Sequence, residues 1–157
     1  MNPIDPLLWQ PHQQFMAQAL LLAEEAARNN EVPIGALVVK ENRIVGKGYN
    51  QVERLNDPTA HAEMIAISAA CETLNTKYLT DCTLYVTLEP CSMCSGALVW
   101  SKIDTVVFGA TDPKAGGCGS LFNITSNNAL NHQVNIIQGI LENDCEFLLK
   151  EFFAKKR

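Results

Sequence analysis

The sequence is 157 residues long, 47% hydrophobic and 18% charged, with a net charge of −5 and six cysteines. A chain of this length and composition is expected to fold as one domain over residues 1–157, burying about 70% of the surface its unfolded form exposes, which excludes intrinsic disorder and a need for stapling. The acidic balance excludes a general electrostatic nucleic-acid binder, which needs a broad basic surface, so any nucleic-acid contact must come from a local patch.

Met1 to Gln10 has neither a basic lead-in nor a small-residue cleavage site, and the apolar run Ala17 to Ala27 is broken by Gln18, Glu24 and Glu25. Neither a signal peptide nor a membrane span is expected, and the expected compartment is the cytoplasm. There, closely spaced cysteines bind metal or react more often than they crosslink. Phe15, Ala19, Leu22, Ala23 and Ala26 recur at helical spacing and predict an amphipathic helix over 12–29, which Glu31-Val32-Pro33 ends. Ala36 to Val39 and Ile44 to Gly48 are strand-like runs around Lys40-Glu41-Asn42-Arg43, most simply a hairpin. Asp57-Pro58-Thr59 reads as a turn and cap before a helix from Ala60 to Leu74. Thr83 to Leu88 is β-branched and aromatic, a buried strand that stops at Glu89-Pro90 and precedes a helix over Cys91 to Ser101. Asp104 to Ala110 is a fourth strand, Lys114 to Ser120 a glycine-rich loop, Asn135 to Ile140 a fifth strand and Glu142 to Lys155 a closing helix. Strands alternating with helices predict an α/β sandwich whose sheet is largely parallel after the hairpin.

Two segments carry chemistry: His61-Ala62-Glu63 and Pro90-Cys91-Ser92-Met93-Cys94. Three residues apart on a helix, Cys91 and Cys94 share one face and can fill two corners of a tetrahedral zinc site. A histidine from elsewhere fills a third, leaving the fourth for water, as in a catalytic rather than a closed structural site. His61 and Glu63 would diverge in mid-helix, but at a first turn both reach over the helix end. Both segments thus fall at predicted helix N-termini, where the helix dipole favours anions and thiolates. A lone Cys-x-x-Cys also suits redox chemistry, and a lone His-x-Glu carries little information. Together, in this order, they match the zinc deaminase signature, with His61, Cys91 and Cys94 as ligands of one Zn²⁺ per chain and Glu63 as the proton carrier. Cys71 and Cys82 read as core, Cys145 lies in the last helix, and Cys118 sits in the glycine-rich loop, a position open to exposure, with no ligand-like spacing to the site. His12 and His132 read as structural.

The sequence resembles the bacterial tRNA-specific adenosine deaminases of the cytidine deaminase-like superfamily. The resemblance runs through Glu31-Val32-Pro33-Ile34-Gly35-Ala36, Asp57 to Glu63 and Thr83 to Cys91, then Val106 to Ala110, Asp112, Lys114 and Gly119-Ser120-Leu121. It implies a three-layer α/β/α sandwich with a central mixed five-stranded sheet. It also implies a homodimer that converts adenosine to inosine at the wobble position of a tRNA anticodon loop. Asn50 would hydrogen-bond the target purine, the backbone at Ala62 would help read it, and Val32 and Pro33 would line the base pocket. Asp112, Lys114, Phe153, Lys156 and Arg157 match positions near the RNA. The chain departs from the family pattern at Pro113 and Cys118, which bears on loop shape and not on the metal site.

Met93, Ala97, Leu98 and Trp100 give the helix beside the metal segment more apolar surface than a zinc pocket requires, in keeping with a homodimer. Two other readings remain at this level. The substrate of such an enzyme is alternatively a free base or nucleotide, such as cytosine, guanine or deoxycytidylate. From another class, the chain is a zinc-stabilised RNA-binding subunit without turnover, although a purely structural site has no use for Glu63.

Overall fold

The structure, a computed structural model, describes residues 6–156. Its elements in chain order are α1 (Pro6–Arg28), β1 (Gly35–Lys40), β2 (Arg43–Tyr49), α2 (Val52–Leu55) and α3 (Ala62–Leu74). They continue as β3 (Cys82–Leu88), α4 (Ser92–Trp100), β4 (Thr105–Ala110), β5 (Asn135–Gln138) and α5 (Glu142–Lys155). The strands form one sheet in the order β2-β1-β3-β4-β5. β1 pairs antiparallel with both β2 and β3, whereas β3, β4 and β5 run parallel. The expected mixed sheet, parallel after its hairpin, is therefore present.

Sequence alternation places a core on each face of that sheet. Ala36 and Val38 of β1, Leu84 and Val86 of β3, and Val106 and Phe108 of β4 meet α3 and α4 on one side. Leu37 of β1, Tyr85 of β3 and Val107 of β4 meet Met16 and Ala19 of α1 and Cys145 of α5 on the other. Residues one apart thus serve opposite layers, as the two-residue repeat of a strand requires. The result is the expected three-layer α/β/α sandwich.

Two local features set where the functional residues stand. Glu41 and Asn42 turn the hairpin with φ of 50° and 64°, the left-handed pair of a two-residue turn whose twist matches the strands. Gly46 and Gly48 let α3 lie directly on β2. A Cβ at Gly46 would stand 2.5 Å from the Ala66 carbonyl oxygen, and one at Gly48 would stand 2.8 Å from the Ala66 nitrogen and meet the Ala62 carbonyl. The start of α3 is therefore fixed by backbone contact.

The observed boundaries differ most at the N-terminus. α1 begins at Pro6 rather than at residue 12, with Pro11 inside it. Pro6 sits in the first turn, where no N–H is needed, and Trp9 and Phe15, either side of Pro11, both pack against the second core. The four-residue α2, within a stretch that periodicity left unassigned, is held by tertiary bonds: both carboxyl oxygens of the buried Glu31 accept N–H groups, from Glu53 at 3.0 Å and Arg54 at 2.8 Å. Leu98 also differs from expectation. It is fully buried in the first core and contributes nothing to the surface, whereas Trp100, two residues on, is 82% exposed.

Candidate active site

His61 and Cys91 are the N-cap residues of α3 and α4, both in extended backbone, and Cys94 lies one turn into α4. A residue at an N-cap leaves the helix axis, so its side chain can turn across the helix end toward a partner from another element. The two helix starts meet here. The His61 Nδ1 lies 3.6 Å from the Cys91 Sγ and 3.5 Å from the Cys94 Sγ. Zinc bonds of about 2.1 Å to nitrogen and 2.3 Å to sulfur at tetrahedral angles place those atoms about 3.6 Å apart. The three ligand atoms all fall within 4.8 Å of one another, the one such cluster among the described residues. The donor set, the count and the spacing all fit zinc.

The electrostatics point the same way. The Cys91 thiol is held down at about 4, chiefly by a hydrogen bond from the Cys94 thiol, with His61 and the Cys94 backbone N–H adding to it. Cys94 is pushed up by the neighbouring Cys91 sulfur and by burial. The protein's own groups thus hold one sulfur as an anion and leave the other protonated, and a divalent cation is what lets both be thiolates. His61 is raised, first by its hydrogen bond with Cys91.

Glu63 is 4% exposed, and burial raises its carboxyl from 4.5 to about 7, against a lowering by its own backbone N–H and with a further rise from Cys91. It also perturbs Cys94 through charge and hydrogen bonding, so it stands beside the metal ligands. A buried carboxyl near neutrality can both take and return a proton at working pH.

His61 opens onto a cleft of about 1210 Å³. Val32, Ile34 and Asn50 line one part of it, Leu88, Asp112 and Lys114 another, and Phe153 and Lys156 of the C-terminal region a third. Pro33 and Ala62 are buried behind this lining. Asn50 is 6% exposed, and its Oδ1 accepts the Ala62 N–H at 2.9 Å. His61 makes no side-chain cap bond of its own, so Asn50, which also lines the cleft, supplies that cap from β2's end. The Ala62 N–H is thereby committed to Asn50. The Asp112 carboxylate accepts N–H groups from Lys114 and Ala115 at 3.1 and 3.3 Å, shaping the loop that presents Lys114. Arg157 lies outside the described residues.

Cys118 corrects an expectation. Its side chain is 9% exposed and sits 3.6 Å from the Ser95 hydroxyl, because Gly116 and Gly117 fold the loop down onto α4. His12 bonds the Tyr85 hydroxyl at 2.7 Å, and His132 bonds the Ile103 carbonyl at 2.6 Å. The residues that sequence reasoning passed over are Glu31 and Glu89, both 2% exposed. Each is an acid beside apolar residues and a proline (Glu31-Val32-Pro33, Leu88-Glu89-Pro90), a pattern that signals burial with partners rather than exposure.

The family model of the cytidine and deoxycytidylate deaminase zinc-binding region matches residues 9–110. The chain belongs to this deaminase family. It is a zinc-dependent deaminase, and the matched region contains all three metal-site residues. The tRNA-specific adenosine deaminase of Aquifex aeolicus (strain VF5) is 55% identical over 143 residues, covering 91% of this chain and 94% of that one. A solved structure from a study of A-to-I editing by tRNA:A34 deaminases at the wobble position superposes with a TM-score of 0.84 at 39% identity, covering 87% of this chain and 99% of that one. The guanine deaminase of Bacillus subtilis superposes at 0.61 with 42% identity, covering 64% of each chain. Among the described residues, no helix of this deaminase is long and apolar enough to cross a membrane.

Proposed function

We propose that this deaminase converts adenosine to inosine at the wobble position of a tRNA anticodon, hydrolytically and in the cytoplasm. The observation that carries the chemistry is a buried carboxyl raised to about 7 beside a three-ligand zinc site. The relative at 55% identity over nine-tenths of the chain supports the RNA substrate over a free base. His61, Cys91 and Cys94 would hold the metal. Zinc bound there supplies a Lewis acid that makes water nucleophilic near neutral pH.

Glu63 takes a proton from the attacking water at its carboxylate. It returns that proton to the ring nitrogen next to the reacting carbon, then takes the proton of the newly added hydroxyl and gives it to the amine as the C–N bond breaks and the C=O forms; the products are inosine and ammonia. Asn50, anchored through its Oδ1, directs its amide N–H₂ at the purine edge, while Val32 and the buried Pro33 shape the pocket. Asp112, Lys114, Phe153 and Lys156 line the cleft and would meet the RNA, as would Arg157. An anticodon loop reduces the cost of delivering the base, because its bases are already unpaired.

We further infer that the protein works as a homodimer. Trp100 at the end of α4 is 82% exposed, and Leu121 and Phe122, in the loop after Gly117, are exposed too; a second copy that covers Trp100 would bring RNA contacts near each site.

The deciding experiment incubates zinc-loaded protein with total tRNA and reads inosine by sequencing. Inosine at position 34 of a tRNA bears the proposal out. The likeness to a guanine deaminase supports a second reading, and deamination of free guanine, cytosine or deoxycytidylate without any change in tRNA would replace the first with it.

A further inference from the structure

None of the chemistry proposed above uses Glu89, yet it is 2% exposed and its carboxyl is fully engaged. Oε1 accepts the Asp112 N–H at 3.0 Å and the Ser120 hydroxyl. Oε2 accepts the N–H groups of Cys118 and Ser120, each at 3.1 Å. All four donors come from one segment, Asp112 to Ser120. Gly116 packs so closely on this carboxyl that a Cβ there would overlap it.

The same segment is also joined to the turn that follows Glu89. The Gly117 N–H donates to the Pro90 carbonyl at 2.7 Å, and Gly116 bridges to the metal-site residue Cys91. Its other end presents Asp112, Pro113 and Lys114 to the cleft. The segment gives the core little apart from Cys118. Its shape therefore depends on these polar bonds rather than on packing, and the wall it forms is set relative to the metal ligands through Glu89.

We propose that Glu89 is a positioning residue for substrate: its carboxyl group ties the Asp112–Ser120 segment to the metal-binding turn and so fixes the cleft wall that meets the RNA. The inference rests on the deaminase reading above. Glu89→Gln keeps the size but turns an amide N–H₂ toward backbone N–H donors, donor against donor, and releases the segment. Ser120→Ala removes only the hydroxyl bond and leaves the three backbone bonds in place.

The test measures zinc per chain, kcat and KM on an anticodon stem-loop RNA, and amide hydrogen exchange across 111–120 in the zinc-loaded protein. Glu89→Gln keeps its zinc, lowers kcat/KM by about 10²-fold, mostly through KM, and loses exchange protection at Asp112, Cys118 and Ser120. Ser120→Ala moves KM the same way by a smaller factor, and it decides the matter if Glu89→Gln does not fold. KM within about twofold of wild type in every variant that folds overturns the proposal, because a merely structural tether lowers stability without a KM effect. Unchanged exchange in Glu89→Gln overturns it as well. If wild-type protein deaminates no RNA, the functional reading fails, and the exchange data still decide whether Glu89 holds this segment.

Discussion

Replacing Glu63 by glutamine is expected to abolish turnover and raise stability together, in a pH-dependent way. Burial lifts the Glu63 carboxyl from 4.5 to about 7. Below pH 4.5 the group is protonated in folded and unfolded chains alike and its shift has no effect on stability. Between pH 4.5 and 7 the unfolded chain releases the proton while the folded chain retains it, so stability falls as pH rises. Above 7 the full penalty is present. The rise from 4.5 to about 7 corresponds to about 3 kcal/mol at the upper limit. Glutamine is neutral at every pH and carries no such penalty. The variant should therefore match wild type near pH 4 and exceed it by up to about 3 kcal/mol at pH 8.5, or about 6–12 °C in Tm for a chain of this size. Zinc, being positive, offsets part of the charge cost, so the gain should be larger in chelator-treated protein than in the loaded form. Thermal or urea unfolding at pH 4 and 8.5, each with and without zinc, gives the four numbers. A glutamine variant no more stable than wild type at pH 8.5 in either form would refute the claim that Glu63 is held against desolvation. Its activity should fall by about 10²–10⁴-fold or more while zinc is retained, as the proposed role of proton carrier rather than ligand requires.

Cys91→Ala should lose zinc and much of the stability, since metal binding is partly folding energy; elemental analysis showing full occupancy would remove Cys91 from the site. Gly48→Ala drives a methyl group into the Ala62 carbonyl and should cost about 1–3 kcal/mol in urea unfolding, while displacing the start of α3. Trp100→Glu should shift a dimer toward monomer in sedimentation at micromolar concentration, and a wild-type monomer would contradict the homodimer outright. Log affinity for tRNA should fall with log salt at a slope of roughly −2 to −4 if about three to five phosphates are neutralised, and Lys156→Ala with Arg157→Ala should flatten it by about one or more. Asn50→Ala should impair turnover with little change in that slope, because a base contact releases no counterions.

Legibility tracked the range of the interactions. β3 and β4 were visible in sequence because every residue of a buried strand declares itself, and α5 was read at its observed boundaries, Glu142 and Lys155. The grouping of His61 with Cys91 and Cys94 was legible because ligand chemistry fixes residue type and number as well as spacing. What escaped were α2, the first turns of α1 and the burial of Cys118. Each depends on a partner distant in sequence: Glu31 for α2, the second core for Trp9, and the Glu89–Ser95 floor for the glycine-rich loop. Leu98 was misplaced for a related reason. Helical periodicity gives the apolar face of α4 but does not tell which residues of that face meet the sheet.

Three buried glutamates show how one residue type takes different roles under one physical rule. Glu31 and Glu89 each meet backbone N–H donors on both carboxyl oxygens, four donors in all at Glu89. Such groups organise backbone: Glu31 sets α2 on one flank of the cleft, and Glu89 sets the Asp112–Ser120 segment on another. Glu63 has mainly its own N–H and lies beside two sulfurs, so burial dominates and leaves it able to exchange a proton near neutrality. That is the property the proposed proton transfer at the candidate zinc site requires of Glu63. The two saturated acids hold the walls between which a base must be aligned with it.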